Sequence, residues 1–289
     1  MTPSEIQRLV KVNQMKHIHF VCVAIFSSTA SLIALVEFRP FTTMSEVEVN
    51  QLDELSQLLF CERKFSDPIA TNGALLEEFM FAIGWHKCST KNEKFGRYGS
   101  LGKIENTKYE WQNRGANLSL VDFILINYEA NISTNQGAFK FASALTFTMK
   151  IFKNSPHLDT DALLCALGWW FEADKRTGQI QRDASKRCTD GKLIFPNENF
   201  WIDLSNCHGL IQVLWASSKF AHYTDKAHNN ERTTLVGMST QFSRRLAKTM
   251  WWKRHSSYEI GEGARYHIRD GNKISSQVKE WGSLDASRS

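Results

Sequence analysis

Hydrophobic and polar positions change rhythm about halfway along the chain. Near the start, the runs HFVCVAIF and LIALVEF flank a cluster of hydroxyls at Ser27, Ser28, Thr29 and Ser31, the pattern of two strands joined by a turn. The same stretch, Phe20–Val36, is uncharged and preceded by Lys11 and Lys16, but its 17 residues fall short of a membrane span and the hydroxyls interrupt its middle. It therefore predicts a β-hairpin. Met44–Leu59 opens with Ser45, Glu46 and Glu48 and repeats its apolar residues at helical spacing, which predicts a helix. Two more helices are predicted over Gly73–Ile83 and Leu118–Tyr128, with the polar stretch Lys87–Gly115 between them as a surface excursion. From Leu145 the texture becomes β-branched and aromatic: LTFTMKIF, ALLCALGWWFEA, KLIFP, FWIDL, GLIQVLWAS, FAHYT and TTLVGMSTQ follow at short intervals, bounded by Gly, Pro, Asn and Asp. Such runs predict a β-sandwich or barrel.

The pattern gives an α+β chain with four regions: an N-terminal hairpin region (1–43), a helical supporting region with its surface loop (44–144), a β core (145–250) and a basic C-terminal extension (251–289). Composition agrees with a globular protein. The 289 residues are 42% hydrophobic and 22% charged, which excludes disorder, collagen-like repeats and a coiled-coil rod. Nine tryptophans add flat apolar surface that needs a core or a pocket. A net charge of +5 permits an anionic partner without demanding one. Cys22, Cys61, Cys88, Cys165, Cys188 and Cys207 form no CxxC pair and no zinc spacing, so reduced thiols in a soluble nuclear or cytoplasmic protein are expected.

Chemistry concentrates at Asn154-Ser155-Pro156-His157-Leu158-Asp159. On extended backbone, residues two apart point to the same side, so His157 and Asp159 can hold one ion from one face. His222 follows 63 residues after Asp159, at the end of the run Leu214–Tyr223. Two imidazoles and one carboxylate form the facial triad that suits Fe(II), because three protein ligands leave three coordination sites open. Taken alone, HxD is also compatible with a polar turn. His17-Ile18-His19 has no carboxylate partner nearby and reads as structural, His208 reads as a turn residue and His228 as a loop residue.

The order of HxD, long hairpin, glycine-led strand (Gly191–Pro196), tight turn (Asn206–Gly209), distal His222 and a final strand with a basic residue resembles the double-stranded β-helix, jelly-roll or cupin-like, of 2-oxoglutarate/Fe(II) oxygenases. PHLDTDALLCALGWWFEADKRTGQIQRDASKRC and Val236-Gly237-Met238-Ser239-Thr240-Gln241 further resemble the Tet-like (Tet/J-binding-protein) oxygenases of fungal type, mainly across Leu145–Leu246. The resemblance implies His157, Asp159 and His222 as iron ligands, with 2-oxoglutarate and O2 as cosubstrates. It implies a cation for the distal carboxylate of 2-oxoglutarate, for which a guanidinium fork is the best match. Arg232, with Thr234 or Ser239 as a helping hydroxyl, is the choice here. Alignment through Gly237-x-Ser239-x-Gln241 instead puts Leu235 at the family's arginine position, with Arg244 or Arg245 as other sources of charge. The implied reaction consumes 2-oxoglutarate and O2 to give succinate, CO2 and a hydroxylated substrate. The implied substrate is a methylated base of the 5-methylcytosine type in DNA, flipped into a pocket for which Trp169, Trp170, Phe195 and Trp215 are candidates. Lys175, Arg176, Arg182, Lys186 and Arg187, and the run Arg244, Arg245, Lys248, Lys253 and Arg254 beside Trp251 and Trp252, would track phosphates. The alternative is an inactive barrel that binds nucleic acid or a protein partner.

Overall fold

The computed structural model describes residues 16–18, 22–66, 79–86, 96–99, 144–149, 152–205, 208–225, 227–228, 231–241, 244 and 267–268. In chain order the elements are β1 (Lys16–Ile18), β2 (Cys22–Phe26), β3 (Leu32–Pro40), α1 (Glu46–Glu62), β4 (Phe79–His86), β5 (Gly96–Gly99), β6 (Ala144–Met149), β7 (Ala166–Asp174), β8 (Lys192–Phe195), β9 (Phe200–Asp203), β10 (Gly209–Trp215), β11 (Tyr223–Asp225), β12 (Thr233–Gln241) and β13 (His267–Ile268). They divide between two compact units, the first made of Met1–Phe60, Ile69–Met80 and Thr146–Thr240, the second of Cys61–Pro68, Phe81–Leu145 and Gln241–Ser289.

In the first unit a long sheet runs in the order β6-β12-β7-β10-β3-β2 and a short one in the order β1-β9-β8-β11. This alternation of strands between two sheets is the double-stranded β-helix. β7 is buried from Ala166 through Ala173, a continuous run that only a strand covered on both faces can sustain. Strand pleating sends Gly168, Trp170 and Glu172 one way and Trp169, Phe171 and Ala173 the other. The first set faces the interior: opposite it on β12 stand Ser239, Gly237 and Leu235, paired with Gly168, Trp170 and Glu172. Trp170 and Leu235 pack in one core with Ile211, Val213, Trp215, Leu193, Phe195 and Ile202. Gly168 is where two indoles need room: a Cβ there would meet Trp170 Cη2 at 2.8 Å and Trp215 Cζ3 at 2.9 Å.

The hairpin predicted around Ser27–Ser31 forms, with β2 and β3 antiparallel, and β3 pairs along its length with β10. The hairpin is thus part of the core sheet. α1 starts on a capping box: Glu48 N–H donates to Ser45 Oγ (3.3 Å) while Ser45 N–H donates to Glu48 Oε2 (2.8 Å). Further along, Asp53 accepts from Ile180 N–H at 2.7 Å and Ser56 donates to Gly178 O at 2.5 Å. The helix therefore grips the hairpin that leaves β7.

In the second unit β5 pairs antiparallel with β4 and parallel with β13. The helix expected over Gly73–Ile83 is corrected here, because Phe79–His86 is a strand. FMFAIGWH has no polar face, and a short apolar run fits either structure by periodicity alone. β5 likewise lies within the expected surface excursion. Leu118–Tyr128 lies outside the described residues. Among the described residues no helix is long and apolar enough to cross a membrane.

Candidate metal centre

The segment carrying His157 and Asp159 runs antiparallel to the approach to β11. His157 N–H donates to His222 O (3.1 Å), His222 N–H returns to His157 O (3.0 Å), and Asp159 N–H donates to Ser217 O (3.0 Å). Asn154 N–H extends the ladder to Thr224 O at 3.1 Å. Backbone pairing thus brings together three side chains that are far apart in sequence.

Their tips converge. His157 Nε2 lies 3.5 Å from Asp159 Oδ1 and His222 Nε2 lies 3.7 Å from Oδ2. One ligand atom from each residue falls within 4.8 Å of the others. Each imidazole uses Nδ1 against a backbone carbonyl, Ser155 O at 2.9 Å for His157 and Phe220 O at 3.1 Å for His222. Donation from Nδ1–H leaves the Nε2 lone pair turned to the common point, the orienting contact that metal-bound histidines use. Asp159 Oδ2 is buried with no hydrogen-bond partner among the described residues. A buried, unpartnered carboxylate oxygen is costly unless a cation meets it. The residues present therefore fit a divalent ion with one carboxylate and two imidazoles, leaving open sites as Fe(II) oxygen chemistry requires.

The surroundings tune these groups differently. The contact with Asp159 raises the pKa of His157, whereas burial lowers that of His222. Asp161, two residues from Asp159, is pushed up to about 7 by its burial and then by the charge of Asp159. His222 stands edge-on to Trp215 with ring centroids 5.5 Å apart, and Phe195 lies 6.2 Å away on another side. The site has an aromatic floor.

Other expected site residues scatter. Arg232 is 62% exposed, its Nε 3.4 Å from Asp174 Oδ2 at the outer end of β12. Thr234 is buried, and by alternation with Leu235 it belongs to the face turned away from the interior. Ser239 shares the inner face, its hydroxyl 2.8 Å from that of Thr146. Leu235 points inward, close enough that a Cβ on Gly191 would meet its Cδ2 at 2.7 Å. Trp170, Trp215 and Phe195 face the interior, whereas Trp169 pairs with Gln212 and Met238 on the opposite face. Arg176 and Arg182 are exposed on the hairpin, Arg182 reaching Glu46 at 3.3 Å. Arg244 is exposed, and Arg245, Lys248, Trp251, Trp252, Lys253 and Arg254 lie outside the described residues. His208 accepts at its carbonyl from Phe41 N–H, and His228 pairs with Asp190 at 2.8 Å, so neither belongs to the candidate metal-binding trio. Sequence reasoning passed over Gly168 and Glu172. Gly168 was visible only as a lone glycine before two tryptophans, and Glu172 as one acid within an apolar run.

The profile of the Tet-like 2OG-Fe(II) oxygenase superfamily matches residues 45–128 and 122–227, more than half of the chain. The chain belongs to this superfamily, and so it is a 2-oxoglutarate-dependent dioxygenase that uses Fe(II) and 2-oxoglutarate. No curated protein matches it significantly. Among solved structures it is similar to NgTET1 in complex with 5mC DNA, at 10% identity over 84% of this chain and 88% of that one, with a TM-score of 0.42. It is also similar to a 2OG-Fe(II) oxygenase-family oxidoreductase from Burkholderia pseudomallei (13% identity, 73% and 88% covered, TM-score 0.38). A third is a prolyl hydroxylase in complex with a hypoxia inducible factor peptide, from Trichoplax adhaerens (12% identity, 75% and 86% covered, TM-score 0.39).

Proposed function

We propose that this oxygenase hydroxylates the methyl group of a methylated base, of the 5-methylcytosine type, in DNA, with iron held by His157, Asp159 and His222. The observation that carries the metal assignment is the buried Asp159 Oδ2, without a partner and facing two imidazoles whose Nδ1 atoms are already engaged. Bound Fe(II) with 2-oxoglutarate and O2 supplies the oxidising chemistry: one oxygen atom enters the substrate C–H bond, the other enters succinate, and CO2 leaves.

The chain's own residues supply position and dryness. Carbonyls of Ser155 and Phe220 hold the two imidazoles in the right tautomer. Trp215 and Phe195 wall His222 with apolar surface that excludes water from an oxidising site. Of the hydroxyls considered for the cosubstrate, Ser239 has the inward position. A flipped base needs flat apolar surface to rest against, and the interior indoles of Trp170 and Trp215, 6.1 Å apart, provide it. Exposed Arg176 and Arg182 suit the phosphates of a DNA strand. The methylated base is our choice of substrate within the superfamily, and a nuclear location is proposed together with it.

The test is incubation of the Fe(II)-loaded protein with 2-oxoglutarate and duplex oligonucleotides carrying 5-methylcytosine, followed by mass spectrometry of the nucleosides and quantification of succinate. Oxidised cytosine with matching succinate supports the reading. Succinate without base oxidation on any methylated duplex or single strand would move the substrate elsewhere, and neither product would favour the inactive barrel.

A further inference from the structure

Large apolar side chains that reach solvent are rare among the described residues, and three of the four stand in one stretch beside the candidate metal centre, Leu158–Leu164. Leu158 is 52% exposed, Leu163 47% and Leu164 76%, while the fourth, Val47, lies on α1. Leu158 has an immediate cause: His157 and Asp159 turn to a common point, so the residue between them must face outward. Leu163 and Leu164 are under no such constraint. An apolar cluster left in water beside a reaction centre marks a surface that another molecule covers.

The most exposed of the three is also held in place. Leu164 O accepts from Ser218 Oγ at 3.3 Å, and the next residue, Cys165, packs half-buried against the core before β7 begins at Ala166. Ser217, the neighbour of Ser218, accepts at its carbonyl from Asp159 N–H at 3.0 Å. Two hydrogen bonds to one turn therefore tie the backbone of Leu164 to that of Asp159, and the leucine projects from a fixed base. The exposed charge around it has one sign. Over 152–165 and 216–222 the exposed charged residues are Lys153 and Lys219, whereas the acids there, Asp159 and Asp161, are withdrawn from solvent. Exposed Ser155 and Thr160 add hydroxyls to the same rim. Lysines and hydroxyls around an apolar point suit a polyanion with flat apolar rings inside it. Drawing a base out of a duplex leaves a gap in the stack, and an apolar side chain pushed between the neighbouring bases keeps them from closing it. We propose that Leu164 is such a wedge, entering the base stack of the DNA substrate beside the base presented to the metal centre, with Lys153 and Lys219 at the phosphates. The inference rests on the DNA reading above and names the residue that makes a duplex usable. Leu164 is a positioning residue, since it meets the flanking bases and not the reacting methyl.

Two measurements on the Fe(II)-loaded protein test this. The first is oxidation of 5-methylcytosine with 2-oxoglutarate and O2, scored on a matched duplex and on the single strand. The second is the fluorescence of 2-aminopurine placed beside 5-methylcytosine in the duplex, read without O2, which rises when the neighbouring base unstacks. Leu164→Ala should lose about 10-fold on the duplex, with a smaller 2-aminopurine signal, and keep the parent's activity on the single strand, which has no stack to open. Leu164→Met should restore the duplex activity, because a flexible thioether still fills the gap. Val47→Ala, an exposed apolar position on α1, should match the parent on both forms. Equal loss on duplex and single strand overturns the proposal, as does a parent active on single strands alone. Undiminished duplex activity in Leu164→Ala overturns it too and leaves the leucines to a protein partner. A parent that oxidises neither form sinks the DNA reading and this proposal together, an outcome distinct from any confined to the variants.

Discussion

His157 and His222 hold each other by their backbones, each donating its N–H to the other's carbonyl at 3.1 and 3.0 Å. The two imidazoles are therefore placed by main-chain hydrogen bonds, and the carboxylate of Asp159 lies between them with Oδ2 buried and without a hydrogen-bond partner among the described residues.

Replacing Asp159 with alanine should separate binding from folding. Iron uptake should drop about 100-fold, while the metal-free protein keeps its Tm at alkaline pH, where His157 is neutral and draws no stabilisation from the carboxylate and an unpartnered buried oxygen has been removed. Thermal scans with and without Fe(II) check this. The parent should gain about 2.7 kcal/mol at a hundredfold excess over Kd, and Asp159→Ala should gain nothing.

Acidification should expel the metal by protonating His157. Its pKa is raised above the ordinary 6.5, chiefly by Asp159, so proton competition begins at a higher pH than for an isolated histidine. Metal affinity should rise with pH through that raised value and level off above it. Without metal the sign reverses for this residue: its stabilising effect is full below about 6.5 and is lost as pH rises through the raised value. His222, held neutral by burial, contributes in the other direction, favouring the fold at higher pH. Metal titrations and thermal scans over the same pH series distinguish the two.

Glu172 predicts a second pH dependence. Its folded pKa is raised from 4.5 to about 7, so its contribution to stability is full below 4.5 and lost as pH climbs through about 7. Glu172→Gln should flatten the fall in Tm over that window, removing a slope worth up to a few kcal/mol.

Adding a side chain at Gly168 should disturb the metal from a distance. Gly168→Val puts carbon atoms into the rings of Trp170 and Trp215, for an overpacking cost of about 1–3 kcal/mol. Trp215 then shifts against His222. A lowered Tm with a weakened iron affinity is expected, and unchanged iron binding would show that the indoles do not support the ligand.

Much of this was legible in the sequence because it is periodic or local. The hairpin around Ser27–Ser31, the helix opened by Ser45 and Glu48, and the change to β texture after Leu145 all rest on neighbours in the chain. The candidate trio was partly legible as well, since His157 and Asp159 share one extended tripeptide and the fold brings His222 beside them. What was not legible depends on register. Whether Thr234 or Leu235 faces inward is set by the pairing of β12 with β7, and a shift of one residue would exchange them. Arg187 was visible as one basic residue among five on a loop, and only the fold brings it to Glu172. The strand at Phe79–His86, which overlaps the helix expected over Gly73–Ile83, is not legible because its apolar run has no second face to break the tie.

The pairing of β3 with β10 sets the smallest piece of this protein that can stand alone. A fragment starting at residue 145 would retain His157, Asp159 and His222, yet it would leave β10 as a bare edge from Gly209 to Trp215, with apolar Leu210, Ile211 and Val213 ready to recruit foreign strands. Such a fragment should aggregate when expressed, and adding Cys22–Pro40 back as a separate peptide should restore its solubility.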